Sequence, residues 1–410
     1  MAEVGATADR TVGGRRVDRV LVLVCDSFGV GAAPDAAAYG DVGANTLGHV
    51  AEAVGGLDAP NLAALGLGAV TRMKGLVPHG DPGTAHGRAT ERSAGKDSTT
   101  GHWEIAGLIV EHPFPTYPRG FPPEVIGPFE QRIGRKVLGN VPASGTEIIA
   151  ELGEEHVRSG RPIVYTSADS VFQVACHVGV VPLDQLYDWC RCARAILDGP
   201  NRVGRVIARP FDGPPGAYVR RPERRDFSVA PPAPTLLDVC QTAGVAVYGV
   251  GKIVDLYGGR GLTEYRYSSS NENGVDLSIE YLSRPGPCLV MANLVDFDSK
   301  YGHRNDAPGY AAAVEALDRR IPALVEAATG GEGRGLFFLT GDHGCDPTNL
   351  PSTDHTREYT PVLVAGARTS AAADLGTRAC FGDLGVTVAG ALGVDATGLA
   401  GTSFLEALSL

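Results

Sequence analysis

Five short apolar runs punctuate the chain: RVLVLVCD (19–26), VAVYGVGK (245–252), CLVMANLVDFD (288–298), GLFFLTGDHG (335–344) and PVLVAG (361–366). None shows the apolar–polar alternation of a strand with one wet face, so each is expected to be covered on both faces, as in a parallel sheet. The stretch GYAAAVEALDRRIPALVEAA has the other period. Tyr310, Val314, Leu317, Ile321, Leu324 and Ala328 fall on one helical face, and Pro322 is expected to kink the helix. Strands alternating with helices predict an α/β layered domain with a mostly parallel sheet.

The middle of the chain reads differently. It is richer in proline and arginine and is flanked by FPTYPRGFPP and APPAPT, segments of the kind that bound domains. Helices are expected within 144–160 and 182–199, and strands within 162–169 and 204–211. Residues 113–234 are therefore expected to form a smaller α/β cap inserted into a core built from 1–112 and 235–410, with 1–18 as a disordered tail.

Composition narrows the partners. At 410 residues the chain is long enough for two domains. Its net charge is −11, and no Lys/Arg block is long enough to grip nucleic acid or anionic lipid. No stretch approaches the roughly 18 apolar residues of a membrane helix. The eight cysteines show no C-x-x-C pair and no disulfide framework, which suits the reduced thiols of a cytoplasmic protein.

Three predicted strands end in acids or histidine: Asp26, then Asp296 and Asp298, then Asp342 and His343. Open α/β sheets bind ligands beyond the carboxyl ends of their strands. Asp298, His303, Asp342, His343 and His355, taken with Asp26, supply three carboxylates and three imidazoles. That donor set suits manganese, zinc or iron, and it is large enough for two ions. Two metals can clamp the attacking and leaving oxygens of a phosphoryl displacement. The segment GKDSTTGHWE (95–104) then reads as a nucleophile loop, because a hydroxyl at Ser98, Thr99 or Thr100 needs a base or a metal to lose its proton.

These residues resemble the bacterial phosphopentomutases, of the alkaline phosphatase superfamily, from Val20 to Leu408. The stretches that carry the resemblance are DSFGVGAAPDAAAYGDVGANTLGH (26–49), GKDSTTGHWEIAG (95–107), GRKVLGNVPASGTEIIAELGEEH (134–156), YTSADSVFQ (165–173), LVDFDSKYGHRND (294–306), DHGCDPT (342–348) and TDHTREYTPVL (353–363). The resemblance implies an alkaline-phosphatase-like core with an inserted cap. It also implies an isomerase that interconverts ribose 1-phosphate and ribose 5-phosphate, and the 2-deoxyribose pair, through a phosphoenzyme and a 1,5-bisphosphate. Two Mn2+ are implied, one held by Asp298, His303 and His355 and the other by Asp26, Asp342 and His343, with a bisphosphorylated sugar as primer. Such a protein is expected to act as a monomer on a small sugar phosphate.

The family's phosphorylated residue is usually threonine, and here the position is Ser98, with Thr99 and Thr100 as fallback nucleophiles. Asn45 and Cys345 stand where Asp and Asn are expected. Asp169, Ser170, Arg209, Arg224 and Lys252 match positions that the family uses around sugar and phosphate. The metal pattern by itself would also suit a phosphohydrolase of the same superfamily, or a mutase for another sugar phosphate.

Overall fold

The computed structural model describes residues 16–167, 170–330 and 335–410. In chain order its first strands are β1 (Arg19–Cys25), β2 (Thr84–Ala89), β3 (Leu138–Pro142), β4 (Ile163–Thr166) and β5 (Val171–His177). Next come β6 (Arg205–Asp212), β7 (Val219–Arg220), β8 (Arg225–Ser228), β9 (Ala246–Val250) and β10 (Glu264–Arg266). The last four are β11 (Cys288–Leu294), β12 (Gly335–Thr340), β13 (Thr360–Ala365) and β14 (Ala373–Arg378). Of the tail expected at 1–18, residues 1–15 lie outside the described residues. The amides of Arg16 and Val17 both donate to the Ala391 carbonyl, and Val17 is buried.

The chain divides into two compact units, the second being Pro113–Ala230 with Asp255–Gly258 and the first the remainder. In the first unit eight strands form one sheet in the order β10-β9-β11-β1-β12-β13-β2-β14. Neighbours from β10 through to β12 pair in parallel, as do β2 and β14. The fold is thus mixed α/β with a mostly parallel sheet. The run at 361–366, expected to be parallel like the others, is the exception: β13 pairs antiparallel with both β12 and β2. Antiparallel neighbours need no crossover helix, so the irregular segment after β12 returns directly into β13.

Burial explains the continuous apolar runs. Every side chain from Val20 to Cys25 is fully buried, as is every one in β11 and β12. Leu21 and Leu23 share one core with Tyr310, Val314, Leu317, Ile321 and Leu324 of the helix Ala307–Thr329. Each such side chain contributes on the order of 1.5–3 kcal/mol when fully buried. Pro322 does not interrupt this helix. Proline lacks the N–H that would bond back to residue 318, and the Asp318 carbonyl accepts from Asn61 Nδ2 at 3.2 Å.

The second unit carries its own sheet, in the order β3-β4-β5-β6-β7, with β8 also paired to β6. The helices Pro123–Ile133 and Leu183–Ile196 bury Val125, Phe129, Leu186, Trp189 and Cys190 in one core cluster with β5 and β6 residues. The helix Gly145–Ser159 buries Ile148 and Ile149 in another with β4.

Candidate active site

The carboxyl ends of β11, β1 and β12 lie side by side, and each delivers acidic or imidazole donors. Asp26 follows β1 directly, Asp298 lies in the single turn Phe297–Tyr301 after β11, and Asp342 and His343 follow β12. His303 comes from the next turn, Gly302–Arg304. His355 sits on the segment returning to β13, beside the isolated bridge of Thr356 with Gly344. All six residues predicted as metal ligands are therefore brought to one end of the sheet.

Three groups of donors converge there, one of them Asp298 with His303 and Cys345. Asp298, His343 and His355 place one ligand atom each within 4.8 Å of one another, and so do Asp26, Asp342 and His343. Asp298 Oδ1 lies 3.3 Å from both His303 Nε2 and His355 Nε2. His343 Nε2 lies 3.5 Å from Asp26 Oδ1 and 3.5 Å from Asp342 Oδ2. The imidazoles are oriented from behind, since His303 Nδ1 donates to the Thr353 carbonyl at 2.6 Å and His343 Nδ1 to the Gly344 carbonyl at 3.0 Å. Each therefore turns the lone pair of Nε2 inward, the arrangement in which a histidine ligates a metal.

Charge at the site asks for a cation. Asp26 and Asp342 are fully buried and Asp298 nearly so. Burial, together with the Asp342 and Asp298 carboxylates, pushes Asp26 up to about 8. Burial pushes the His343 imidazole down to about 4. Burial opposes ionisation of Asp298 as well, yet the neighbouring His355, His303 and His343 hold its carboxyl below the usual range. Crowded carboxylates interleaved with neutral imidazole lone pairs fit a pair of divalent cations.

Ser98 opens the helix Ser98–Ile105, which Asp97 caps by accepting the amides of Thr99 at 3.0 Å and Thr100 at 3.2 Å. Ser98 Oγ lies 3.2 Å from His343 Nε2 and 3.5 Å from Asp26 Oδ1. Thr100, by contrast, is buried and spends its hydroxyl on the Asp97 carbonyl at 2.9 Å. Ser98 is thus the hydroxyl of the triplet that meets the donor cluster among the described residues. At the first position of a helix, a negative group on Ser98 would be favoured by the helix dipole.

Comparison with known proteins gives the family. Residues 18–396 match the Metalloenzyme superfamily. The chain is 52% identical to the phosphopentomutase of Caldanaerobacter subterraneus subsp. tengcongensis over 96% of its own length and 99% of that protein. It is 56% identical to the phosphopentomutase of Anaeromyxobacter dehalogenans over 94% of its own length and 97% of that one. The chain belongs to the phosphopentomutase family. It is accordingly an enzyme, an isomerase that transfers a phosphoryl group within its substrate, and divalent-metal dependence comes with the superfamily. Among solved structures it is similar to the phosphoglycerate mutase of Leishmania mexicana, at 14% identity and TM-score 0.47, covering 95% of this chain and 97% of that one.

The positions expected from the resemblance to contact substrate lie in both units. Arg209, on β6, donates Nε to Gln173 Oε1 at 3.0 Å. Arg224 forms a two-pronged pair with Asp226, both bonds 2.7 Å. Ser170 is occupied within its own unit, donating to the Pro115 carbonyl at 2.5 Å and accepting the Gly204 amide at 3.3 Å. Asp169 lies outside the described residues. Lys252, just past β9, lines a cavity of about 170 Å³ with Tyr267, Ser268, Ser269 and Ser270.

Several supporting residues escaped the sequence reading. Ser27 donates Oγ to Asp298 Oδ1 at 2.8 Å and its amide to Asp342 Oδ1 at 3.0 Å, and its positive φ of 75° is the cost of facing both. Asn293 Nδ2 bonds Asp26 Oδ2 at 3.1 Å and faces His102 Nε2 at 3.2 Å. A lone amide inside the buried run CLVMANL was the available signal for Asn293, whereas Ser27 had none. Cys345 Sγ lies 3.9 Å from His303 Nδ1, behind the ring.

Proposed function

We propose that the protein interconverts ribose 1-phosphate and ribose 5-phosphate, and the matching 2-deoxyribose phosphates, through a phosphorylated Ser98 and a 1,5-bisphosphate. The observation that supports this most is Ser98 Oγ at 3.2 Å from His343 Nε2, in a chain more than half identical to named phosphopentomutases over nearly its full length. In this reading Asp298, His303 and His355 would hold one Mn2+, and Asp26, Asp342 and His343 the other. When bound, two such cations neutralise the phosphoryl oxygens and favour an ionised hydroxyl.

The residues of the chain supply position and exclusion of water. Asp97 pins the helix start so that Ser98 Oγ faces the donors. The 5-hydroxyl oxygen of ribose 1-phosphate bonds to the phosphorus on Ser98 as the Oγ–P bond breaks, and the hydroxyl proton departs. The bisphosphate then presents its other end, Ser98 Oγ takes the 1-phosphoryl group, and the anomeric oxygen regains a proton. No phosphate and no proton is lost over the cycle. A bisphosphorylated sugar primes Ser98. On this reading Arg209, Arg224 and Lys252 would supply cations for the phosphate not in transfer, Asp169 and Ser170 would bind substrate, and the second unit would take part in recognising the sugar. Unpaired thiols throughout suit the cytoplasm.

The test is incubation with Mn2+, ribose 1-phosphate and a catalytic amount of sugar bisphosphate, following ribose 5-phosphate and inorganic phosphate together. Stoichiometric ribose 5-phosphate is the expected result. Phosphate release without ribose 5-phosphate would make the protein a phosphohydrolase instead.

A further inference from the structure

We propose that Arg357 is a positioning residue for the phosphoryl transfer: one buried guanidinium ties the backbone ahead of Ser98 to the segment that carries His355, and so sets where the hydroxyl meets its donors. The inference rests on the reading of Ser98 as phosphoryl carrier.

Residues 90–97 belong to no helix or strand; two backbone bonds, from the Thr90 amide to the Arg378 carbonyl at 3.0 Å and from the Ala94 amide to the Val110 carbonyl at 2.8 Å, hold part of their path, and side chains hold the rest. Arg357, 2% exposed, provides most of that fixing. Its NH1 donates to the carbonyls of Ser93 at 2.8 Å and Gly95 at 2.7 Å, and its NH2 to that of Glu91 at 2.7 Å. Of the carbonyls between these that it leaves, that of Ala94 accepts from Tyr39 Oη at 2.9 Å, and the Tyr39 ring lies under the guanidinium, 4.8 Å from its carbon. Arg92 has its own tie, donating its amide to the Glu104 carboxylate at 2.9 Å. Charge is balanced by Glu91, whose carboxylate NH1 meets at 2.6 Å, and by Asp35 at 3.0 Å from NH2.

The other end of the bridge is equally held. The Arg357 amide donates to Asp41 Oδ2 at 2.9 Å, and Lys96 Nζ reaches the same oxygen at 3.1 Å while pairing with Asp354 at 3.4 Å. The segment 354–357, with His355 inside it, and the segment 91–96, which leads into Asp97 and Ser98, therefore move as one piece. A planar fork bonding three backbone carbonyls and two carboxylates cannot be replaced by a single ammonium with three donors. Arg357 touches neither the donor atoms of the site nor any group assigned to the sugar, so its loss should appear in the transfer step and not in binding.

Arg357→Lys is expected to lower kcat roughly 100-fold, the cost of a displacement of about 1 Å at the reacting atoms, with KM changed by less than about 3-fold. Ser98 phosphorylation by the primer, followed by intact mass, should slow in parallel while metal content per chain stays at the wild-type level. Tyr39→Phe, which frees only the Ala94 carbonyl, should shift kcat in the same direction by a smaller factor. The inference is overturned if kcat and phosphorylation rate, taken per folded molecule from the circular dichroism signal, equal the wild-type values in Arg357→Lys. Should that variant not fold, equality in Tyr39→Phe overturns it. A wild-type chain that never gains the phosphoryl mass would instead sink the Ser98 reading itself.

Discussion

His303 and His355 face each other nitrogen to nitrogen, Nε2 to Nε2 at 3.2 Å, with Asp298 Oδ1 3.3 Å from both. Two imidazole nitrogens and a carboxylate crowded on one point suit a positive charge among them. A wild-type chain is therefore expected to carry two divalent ions and His355→Ala one, as counted by elemental mass spectrometry. Chelation should lower the unfolding midpoint, since ligand at 100 times its Kd adds about 2.7 kcal/mol of stability, and re-addition of Mn2+ should restore it.

Ser98→Ala is expected to abolish the phosphoryl adduct seen by intact mass and to cut turnover by roughly 10³-fold or more, the scale on which nucleophile removal acts. Ser98→Thr should keep both, because the added methyl stiffens χ1 without moving the oxygen. An adduct persisting in Ser98→Ala would transfer the role to Thr99.

His156 makes acid sensitivity of the second unit predictable. Its ring is buried, donates Nδ1 to the Arg161 carbonyl at 2.6 Å and accepts the His177 amide on Nε2 at 2.8 Å, so it has no room for a second proton. Burial accordingly pushes its pKa below the ordinary value. The unfolded chain, with histidine near 6.5, binds the proton that the folded chain refuses, so stability is intact above that pH and declines below it, by at most about 1.4 kcal/mol per pH unit. Urea melts between pH 7 and 5 should show the decline, and His156→Gln should flatten it while costing about 1–3 kcal/mol at neutral pH.

Seven of the eight cysteines are buried, and only Cys192 is partly exposed. Burial raises the Cys25, Cys176 and Cys345 thiols far from reactivity. One rapid equivalent with a thiol reagent is expected in the native protein, and eight in denaturant.

How far the sequence carried can be read from individual elements. The central strands were legible because β1, β11 and β12 are covered on both faces and so carry unbroken apolar runs. β2, written in small and polar letters as TAHGRA, was not: Gly87 is there because a Cβ would meet the Gly376 carbonyl oxygen at 2.6 Å, a demand of packing that no local pattern displays. The reversed direction of β13 was hidden for a related reason, since an apolar run does not record which way it points. The six metal-ligand candidates were legible because they sit at strand ends or in the short segments beyond them in recognisable chemistry, whereas Ser27 and Arg357 act through backbone geometry and a fold-dependent fork.

The donors at the sheet end come from residues 26 to 355, joined only where β11 and β12 flank β1. A ribosome-bound chain exposing its first 280 residues would offer Asp26 alone from this set. Cation capture must therefore wait until distant strands have docked, a late event in a topology of long-range pairing, and metal uptake by the refolding chain becomes a clock for completion of the sheet.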